Sequence, residues 1–183
     1  MMYELPQNLD VCGTAYEIRS DYRAALDICA AFSDIDLTDN EKAYVALAIL
    51  YVDFESMPAE HYEEALRKCL WFINAGEDEQ PTAKSPQLMD WEQDFRYIVS
   101  PINRVIGQDV RAVPYLHWWS FVSAYYEIGE CLFAQIVGIR HKKAIGKKLE
   151  KHEQEWYRNN RHLVDFKQKY STTEAEFFKE WGV

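Results

Sequence analysis

Two short segments contain residue types that could carry phosphate or metal chemistry. Gly138 and Gly146 precede Lys147 and Lys148, an arrangement similar to a phosphate-binding loop. Seven residues separate the two glycines, which is too many for the motif G-x-x-x-x-G-K, and neither Ser nor Thr follows the lysines. Glycines that flank helices account for the pattern more simply. We therefore predict no nucleotide-binding loop.

The histidines and cysteines do not follow the spacing of a metal site. His152-Glu153 has no second histidine one helical turn after the first, and the other histidines are scattered. The four cysteines are far apart and form no Cys-x-x-Cys pair; they are Cys12, Cys29, Cys69 and Cys131. We predict no catalytic residue, no bound metal and no cofactor, and therefore a protein that is not an enzyme.

A run of cations is the strongest remaining signal for a ligand. We predict that a basic surface is formed by Arg140, Lys142, Lys143, Lys147, Lys148 and Lys151. Trp156 and Tyr157 follow this run and could stack on bases, so a nucleic-acid-binding regulator is one alternative. Glu150, Glu153 and Glu155 dilute the positive charge, however, and a solvated helix face explains the run without a ligand. We therefore expect nucleic acid not to be the partner.

The densest aromatic stretch of the chain lies just before these cations. If Pro114 opens a helix, apolar residues from Trp118 to Phe133 form one stripe, and Trp119 and Tyr126 share another face. A helix that is apolar on more than one side is either buried in the core or binds a partner. The predicted protein-binding residues are Trp118, Trp119, Tyr125 and Tyr126, with a second set near the carboxyl terminus, Phe177, Phe178 and Trp181.

Charge is unevenly distributed along the chain. The net charge is −10, but residues 1–136 contain 9 Lys or Arg against 23 Asp or Glu, whereas residues 137–183 contain 11 against 7. The acidic part disfavours binding to nucleic acid or to an anionic membrane and favours solubility. The basic part is complementary to the acidic part of a second copy, so we expect a homo-oligomer.

The composition is that of a folded, soluble protein. Hydrophobic residues make up 48% of the 183 residues and aromatic residues 15%, which argues against disorder. The longest apolar run, Ala43 to Val52, is too short to span a bilayer, and the amino terminus does not resemble a signal peptide. We expect a cytoplasmic protein that does not bind a membrane.

Local signals predict the elements of the first half. Tyr3 to Ile18 alternates weakly and contains Gly13, which indicates a short β-hairpin. Ser20 or Asp21 caps a helix that runs through Phe32. Two further helices are predicted: Ala43 to Phe54, after a capping box of Thr38 and Glu41, and Ala59 to Asn74, after Pro58.

An exposed loop over residues 76–89 then divides the chain into two halves. Four helices are predicted after it: Trp91 to Ile106, kinked or split at Pro101; the aromatic helix from Pro114; a charged helix, Ala144 to Asn160; and a short helix capped by Thr172 or Thr173. The sequence therefore predicts a mostly α fold, a helical bundle that forms a single domain over residues 1–183, with a short amino-terminal β-hairpin.

Three strings of the sequence carry a resemblance to a known family. They are DWEQDFRYIVSPINRVIGQDVR (Asp90 to Arg111), LHWW (Leu116 to Trp119) and FAQIVGIRHKKAIGKKLEKHEQEWYRNN (Phe133 to Asn160). With the amino-terminal part, YELPQNLDVCGTAYEIRSDYR, the chain resembles small proteins from tailed phages of Gram-positive bacteria and their prophages. Genes for these proteins lie in the tail module, near the tape-measure gene.

The resemblance implies a tail assembly chaperone that acts in the cytoplasm of the host bacterium. Such a protein keeps the long, apolar tape-measure protein soluble and helps tail-tube subunits polymerise around it. The resemblance brings no catalytic residues. A structural minor tail protein that is retained in the virion is the alternative from the same class of proteins.

Overall fold

The computed structural model describes residues 4–77, 86–169 and 171. The described chain is mostly helical and has one two-stranded antiparallel sheet at its amino terminus, so the predicted fold class is confirmed. Packing divides these residues into two compact units. The first contains residues 4–77, 115–122, 169 and 171, and the second contains residues 86–114 and 123–168. A single domain over residues 1–183, divided by an exposed loop over residues 76–89, stays a prediction.

The first unit begins with the predicted hairpin. Strand β1 (Asn8–Val11) pairs with β2 (Thr14–Glu17), and Val11 faces Thr14 across a two-residue loop. Both loop residues have positive φ, 51° at Cys12 and 77° at Gly13. A turn of this type matches the twist of the two strands, and it explains why glycine stands in the loop.

Three helices follow in this unit. Asp21 caps α1 (Tyr22–Ser33), and the predicted capping box of Thr38 and Glu41 begins α2 (Asp39–Leu50). The third helix, α3 (Tyr62–Ile73), is preceded by a 3₁₀ turn over Ala59–His61 that follows Pro58.

The prediction that the second helix continues to Phe54 is wrong. Helix α2 ends at Leu50 because Tyr51 is extended and forms a β-bridge with Ile18. The Tyr51 hydroxyl donates to the carbonyl oxygen of Ala65 at 2.9 Å, which fixes the buried ring against α3. The pairing with Ile18 and this buried bond outweigh the helical preference of the apolar run.

The second unit is built on two long helices. Helix α4 (Trp91–Ile106) is capped by Asp90 and ends at Gly107, whose φ of 75° is left-handed. Pro101 lies buried inside α4, and the helix continues through it rather than splitting. The second long helix is α6 (Leu132–Ala144), and the shorter α7 (Lys151–Asn159) and α8 (Arg161–Val164) follow it.

Two predicted boundaries in this region are wrong. The aromatic helix begins at Trp118 rather than Pro114 and ends at Tyr126 (α5, Trp118–Tyr126), and a turn with left-handed Gly129 separates it from α6. The charged helix starts at Lys151 rather than Ala144, because left-handed Gly146 follows the end of α6 and Glu150 caps α7. The predicted helix after Thr172 or Thr173 lies outside the described residues.

Candidate protein-binding surfaces

The two tryptophans at the start of α5 are fixed by hydrogen bonds within the first unit. Trp118 is 2% exposed, and its Nε1 donates to the carbonyl oxygen of Ile73 at 2.9 Å. Half-buried Trp119 donates from Nε1 to the carbonyl oxygen of Phe72 at 2.9 Å. Both acceptors lie in the last turn of α3, where carbonyl groups lack partners within the helix. Trp118 is therefore a core residue, which agrees with the buried-helix interpretation of the aromatic stretch.

Trp119 also packs against the glycine that follows α3. Gly76 has a φ of 88°, and a Cβ atom placed on it would lie 2.9 Å from Cη2 of Trp119. The ring of Trp71 meets that of Trp119 edge to face, with centroids 5.2 Å apart. Trp71 was not among the predicted binding residues, because it lies one position after Leu70 in the apolar stripe of α3, which also contains Leu66, Cys69 and Ile73. The two rings form a half-buried aromatic pair at the end of that helix.

His117 connects the start of α5 to the amino-terminal segment. Its Nδ1 accepts the Trp119 backbone N–H at 3.0 Å, and its Nε2 lies 3.0 Å from the carbonyl oxygen of Pro6. These two bonds require the neutral ring with its proton on Nε2. Burial lowers the pKa of His117, which favours the same neutral form. This histidine is therefore a structural group that caps α5.

Of the predicted binding residues that the structure describes, the most exposed is in the second unit. Tyr126 is 72% exposed, whereas Tyr125 is half-buried, packs against Trp91 and Phe133, and donates its hydroxyl to Sδ of Met89 at 3.3 Å. Both tyrosines line an open groove of about 590 Å³. We call this the tyrosine groove, and its other lining residues include Ile128, Phe133, Ala134, Val137 and Gly138.

The tyrosine groove has a shallow, smooth wall along α6. Ala134 and Gly138 are exposed there, one helical turn apart, and a Cβ atom on Gly138 would meet nothing within 4 Å. Val137 is half-buried between them. Small residues on a helix allow another chain to approach closely, so the groove can accommodate an apolar side chain or helix face beside Tyr126.

Arg140 is not part of a basic surface, which corrects the prediction. It is 4% exposed, and both of its terminal nitrogens bond to the carboxylate of Asp94, which is fully buried. Its remaining donors reach the carbonyl oxygens of Val164, Leu163 and Leu88, at 2.7, 3.1 and 3.1 Å. All five N–H groups are therefore used, as a buried guanidinium requires. The ring of Phe166 lies 4.1 Å from its central carbon.

Two further cations of the predicted set are engaged within the second unit. Lys142 forms an ion pair with Glu153 of α7. Lys143 contacts the carboxylate of Asp165 and the hydroxyl of Tyr157, which itself donates to Asp165. These contacts tie α6 to α7 and to the residues after α8. Only the remaining cations, Lys147, Lys148 and Lys151, are exposed without an ion pair to the described residues.

The thiols have the properties of structural cysteines. Burial raises the pKa of Cys29 to about 11 and that of Cys69 to about 12, so both are protonated at neutral pH. Cys12 is exposed, and a hydrogen bond to Glu64 raises its pKa as well. Residues 4–77, 86–169 and 171 contain no group of three or more His, Cys, Asp or Glu side chains that could hold a metal ion.

The second set of predicted protein-binding residues, Phe177, Phe178 and Trp181, lies outside the described residues. Among the helices that are described, none is long and apolar enough to cross a membrane.

Comparison with known proteins gives one finding. The family model described as Bacteriophage Gp15 protein matches residues 1–166. No curated protein and no solved structure matches the chain. The matched region includes both strands and all eight α-helices of the described residues, the Tyr125–Tyr126 pair and the buried Arg140. The chain belongs to the Bacteriophage Gp15 protein family.

Proposed function

We propose that this phage-family protein is a tail assembly chaperone. In this role it binds the tape-measure protein in the host cytoplasm and assists the tail-tube protein in assembling around it. The chain belongs to a bacteriophage family, and its resemblance to tail-module proteins favours the tail as the place of action. The structural observation that carries the proposal is the tyrosine groove, which exposes a large aromatic side chain on a charged protein.

A chaperone for an apolar client needs two properties. It must offer apolar surface that can replace contacts between client molecules, and it must carry enough net charge to keep the complex soluble. Tyr126 supplies an aromatic ring that is 72% exposed, and the chain carries a net charge of −10. A tyrosine suits such a surface because its ring is apolar while its hydroxyl remains hydrated.

The groove also has a shape that suits an amphipathic helix of the client. Tyr126 stands at one side, the half-buried Val137 lies in the wall, and Ala134 and Gly138 leave room for a backbone to approach. A client helix would bury its apolar face against these residues in the helix-in-groove manner. The proposal includes no catalysis, and it includes a homo-oligomer because the acidic and basic parts of the chain are complementary.

Co-expression with the cognate tape-measure protein tests the proposal. The chaperone should raise the soluble fraction of the client and co-purify with it. Tyr126→Ser should reduce both effects several-fold, whereas the matched control Tyr44→Ser should not. Tyr44 is also an exposed tyrosine on a helix, 56% exposed, but it belongs to the first unit. Circular dichroism should show that both variants keep the helical signal.

Two outcomes would contradict the proposal. One is a tape-measure protein that remains as insoluble with the chaperone as without it. The other is the presence of the protein in purified mature particles at a stoichiometric level, measured by mass spectrometry. That result would instead support a minor tail protein retained in the virion.

A further inference from the structure

The two outer edges of the amino-terminal hairpin differ in whether the rest of the first unit covers them. The outer edge of β2 is covered, because the Val52 backbone N–H donates to the carbonyl oxygen of Glu17 at 3.0 Å. Next to it, the Arg19 N–H donates to the carbonyl oxygen of Leu50 at 2.7 Å, and Ile18 forms a β-bridge with Tyr51. The chain after α2 therefore acts as a short third strand on this side.

Among the described residues, nothing covers the outer edge of β1 in a comparable way. Val11 and Thr14 pair on either side of the two-residue loop, and the Ile18 N–H donates to the carbonyl oxygen of Gln7 at 2.9 Å. Hydrogen-bonded positions alternate along an antiparallel strand, so the main-chain groups of residues 7, 9 and 11 point toward β2. The main-chain groups of Asn8 and Asp10 consequently point outward. Within residues 4–77, 86–169 and 171, no main-chain or side-chain group bonds to them on that side.

This free edge borders a furrow in the first unit. A depression of about 540 Å³ lies along β1, and a second of about 720 Å³ lies along residues 4–8 before it; both are lined by Pro6, Asn8 and Trp71. Helix α3 forms the opposite wall of the first through Leu70 and Trp71. At the end near the hairpin loop, the carboxylate of Glu64 already accepts the backbone N–H of Cys12 at 3.0 Å. The furrow thus offers unused strand hydrogen bonds beside the apolar side chains of Leu70 and Trp71.

The charge around the furrow indicates the sign of the charge that an occupant should carry. Residues 4–77 contain 15 Asp or Glu against 5 Lys or Arg. Glu4, Asp10 and Glu77 line the furrow itself. Of the two cations in the lining, Arg67 is paired with Glu64, at 3.0 Å, which leaves Lys68. A basic occupant is therefore favoured by both the local and the surrounding charge.

We propose that the free edge of β1 binds an extended, basic segment of a protein partner as an added β-strand. Main-chain groups of the segment pair with those of Asn8 and Asp10. Because side chains alternate along a strand, every second residue of the segment faces the wall made by Leu70 and Trp71 and should be apolar. The intervening residues face solvent and the acidic surface, where Lys or Arg is favoured. This site is separate from the tyrosine groove and does not depend on the chaperone proposal.

A synthetic peptide tests this site on the purified full chain. The probe is a fluorescent, acetylated and amidated nonapeptide in which Val alternates with Lys, and its binding is followed by fluorescence anisotropy. Its control has the same sequence with N-methyl groups on alternate amides, which removes the strand donors but keeps every side chain and charge. We expect the control to bind at least about tenfold more weakly, because strand pairing needs those amides.

Substitutions in β1 locate the binding edge. Asp10→Pro removes the outward N–H, and proline is tolerated at a strand edge whose N–H faces away from the sheet. The matched variant Asp10→Ala removes the same carboxylate but keeps the N–H. We expect Asp10→Pro to weaken peptide binding about tenfold relative to Asp10→Ala. The comparison of the two peptides on the unmodified chain does not depend on how either variant folds.

Three results would overturn the proposal. The first is an N-methylated peptide that binds as well as the parent, since the attraction would then be electrostatic alone. The second is no binding of either peptide at millimolar concentration. The third is a dimer of the chain that Asp10→Pro converts to a monomer while the peptide does not bind, which would make a second copy the occupant of the edge.

Discussion

The two units differ in how they satisfy polar groups inside their cores. In the first unit the buried polar residues are Ser20 and His117, which form neutral hydrogen bonds with neighbouring side chains and carbonyl groups. In the second unit they are Asp94 and Arg140, which form an ion pair between α4 and α6. Each neutral hydrogen bond contributes only a small part of the free energy of unfolding. A buried ion pair concentrates the stabilisation, because losing one partner leaves an unpaired charge in the core.

The largest predicted effect is therefore in the second unit. Asp94→Ala leaves the Arg140 guanidinium buried without its counterion, which should lower the free energy of unfolding by about 3–5 kcal/mol. Urea denaturation followed by circular dichroism measures this change. Asp94→Asn is the matched control, because it keeps the shape and one acceptor oxygen, and it should cost less. Equal losses for the two variants would show that the lost charge accounts for the whole effect, because both variants remove it, and an Asp94→Ala loss below about 1 kcal/mol would contradict the prediction.

The second prediction concerns His117 in the first unit. His117→Ala leaves the Pro6 carbonyl and the Trp119 N–H without their partner, which should cost roughly 2–4 kcal/mol, because each of these two partly buried groups costs about 1–2 kcal/mol, the lower part of the range for a buried group. His117→Asn should recover part of this loss, since Asn is a favoured helix cap but cannot also reach Pro6. Urea denaturation at pH 7.5 separates the two contributions. A fully stable His117→Ala would mean that the two bonds are replaced by water.

His117 also gives the first unit a dependence on pH. Burial lowers its pKa in the folded state below the value of about 6.5 for the unfolded chain, so the unfolded chain takes up the proton first as pH falls. Stability is therefore fully present above about pH 6.5 and is lost as pH falls through the folded pKa. The unmodified protein should lose more stability than His117→Asn between pH 7.5 and 5.5. Identical pH profiles would contradict a buried neutral histidine.

The next prediction uses the glycine that packs against Trp119. Gly76→Ala should cost about 2 kcal/mol or more, because a left-handed alanine costs roughly 1–2 kcal/mol and its Cβ would lie 2.9 Å from the ring. Gly107→Ala is the control. Gly107 also follows a helix with positive φ, but a Cβ there meets nothing within 4 Å. The difference between their melting temperatures isolates the contact with Trp119, and no difference would mean that the ring moves freely.

The comparison of the two units also shows which features the sequence could predict. The caps Asp21, Thr38 with Glu41, and Gly107 act within one helical turn, so a short string of residues specifies them. The role of Arg140 could not be predicted, because its partner Asp94 is 46 residues away and the lysines around it indicated a surface. The break at Gly129 was hidden because apolar residues continue at helical spacing on both sides of it. The free edge of β1 depends on where the chain after α2 packs, which no local pattern specifies.

The smallest predicted effect concerns a local cap in the first unit. Thr38→Ala removes the hydroxyl that accepts the Glu41 N–H, and it leaves the Glu41 carboxylate with only the Thr38 backbone N–H. The bonds from Thr38 also lower the pKa of Glu41, so the capping box favours the ionised carboxylate. We expect a loss of about 1 kcal/mol at neutral pH, measured by urea denaturation. Thr38→Ser should retain most of the stability, since it keeps the hydroxyl. A loss as large as that of Asp94→Ala would contradict the contrast between the units, because a single exposed cap would then stabilise the first unit as much as a buried ion pair stabilises the second.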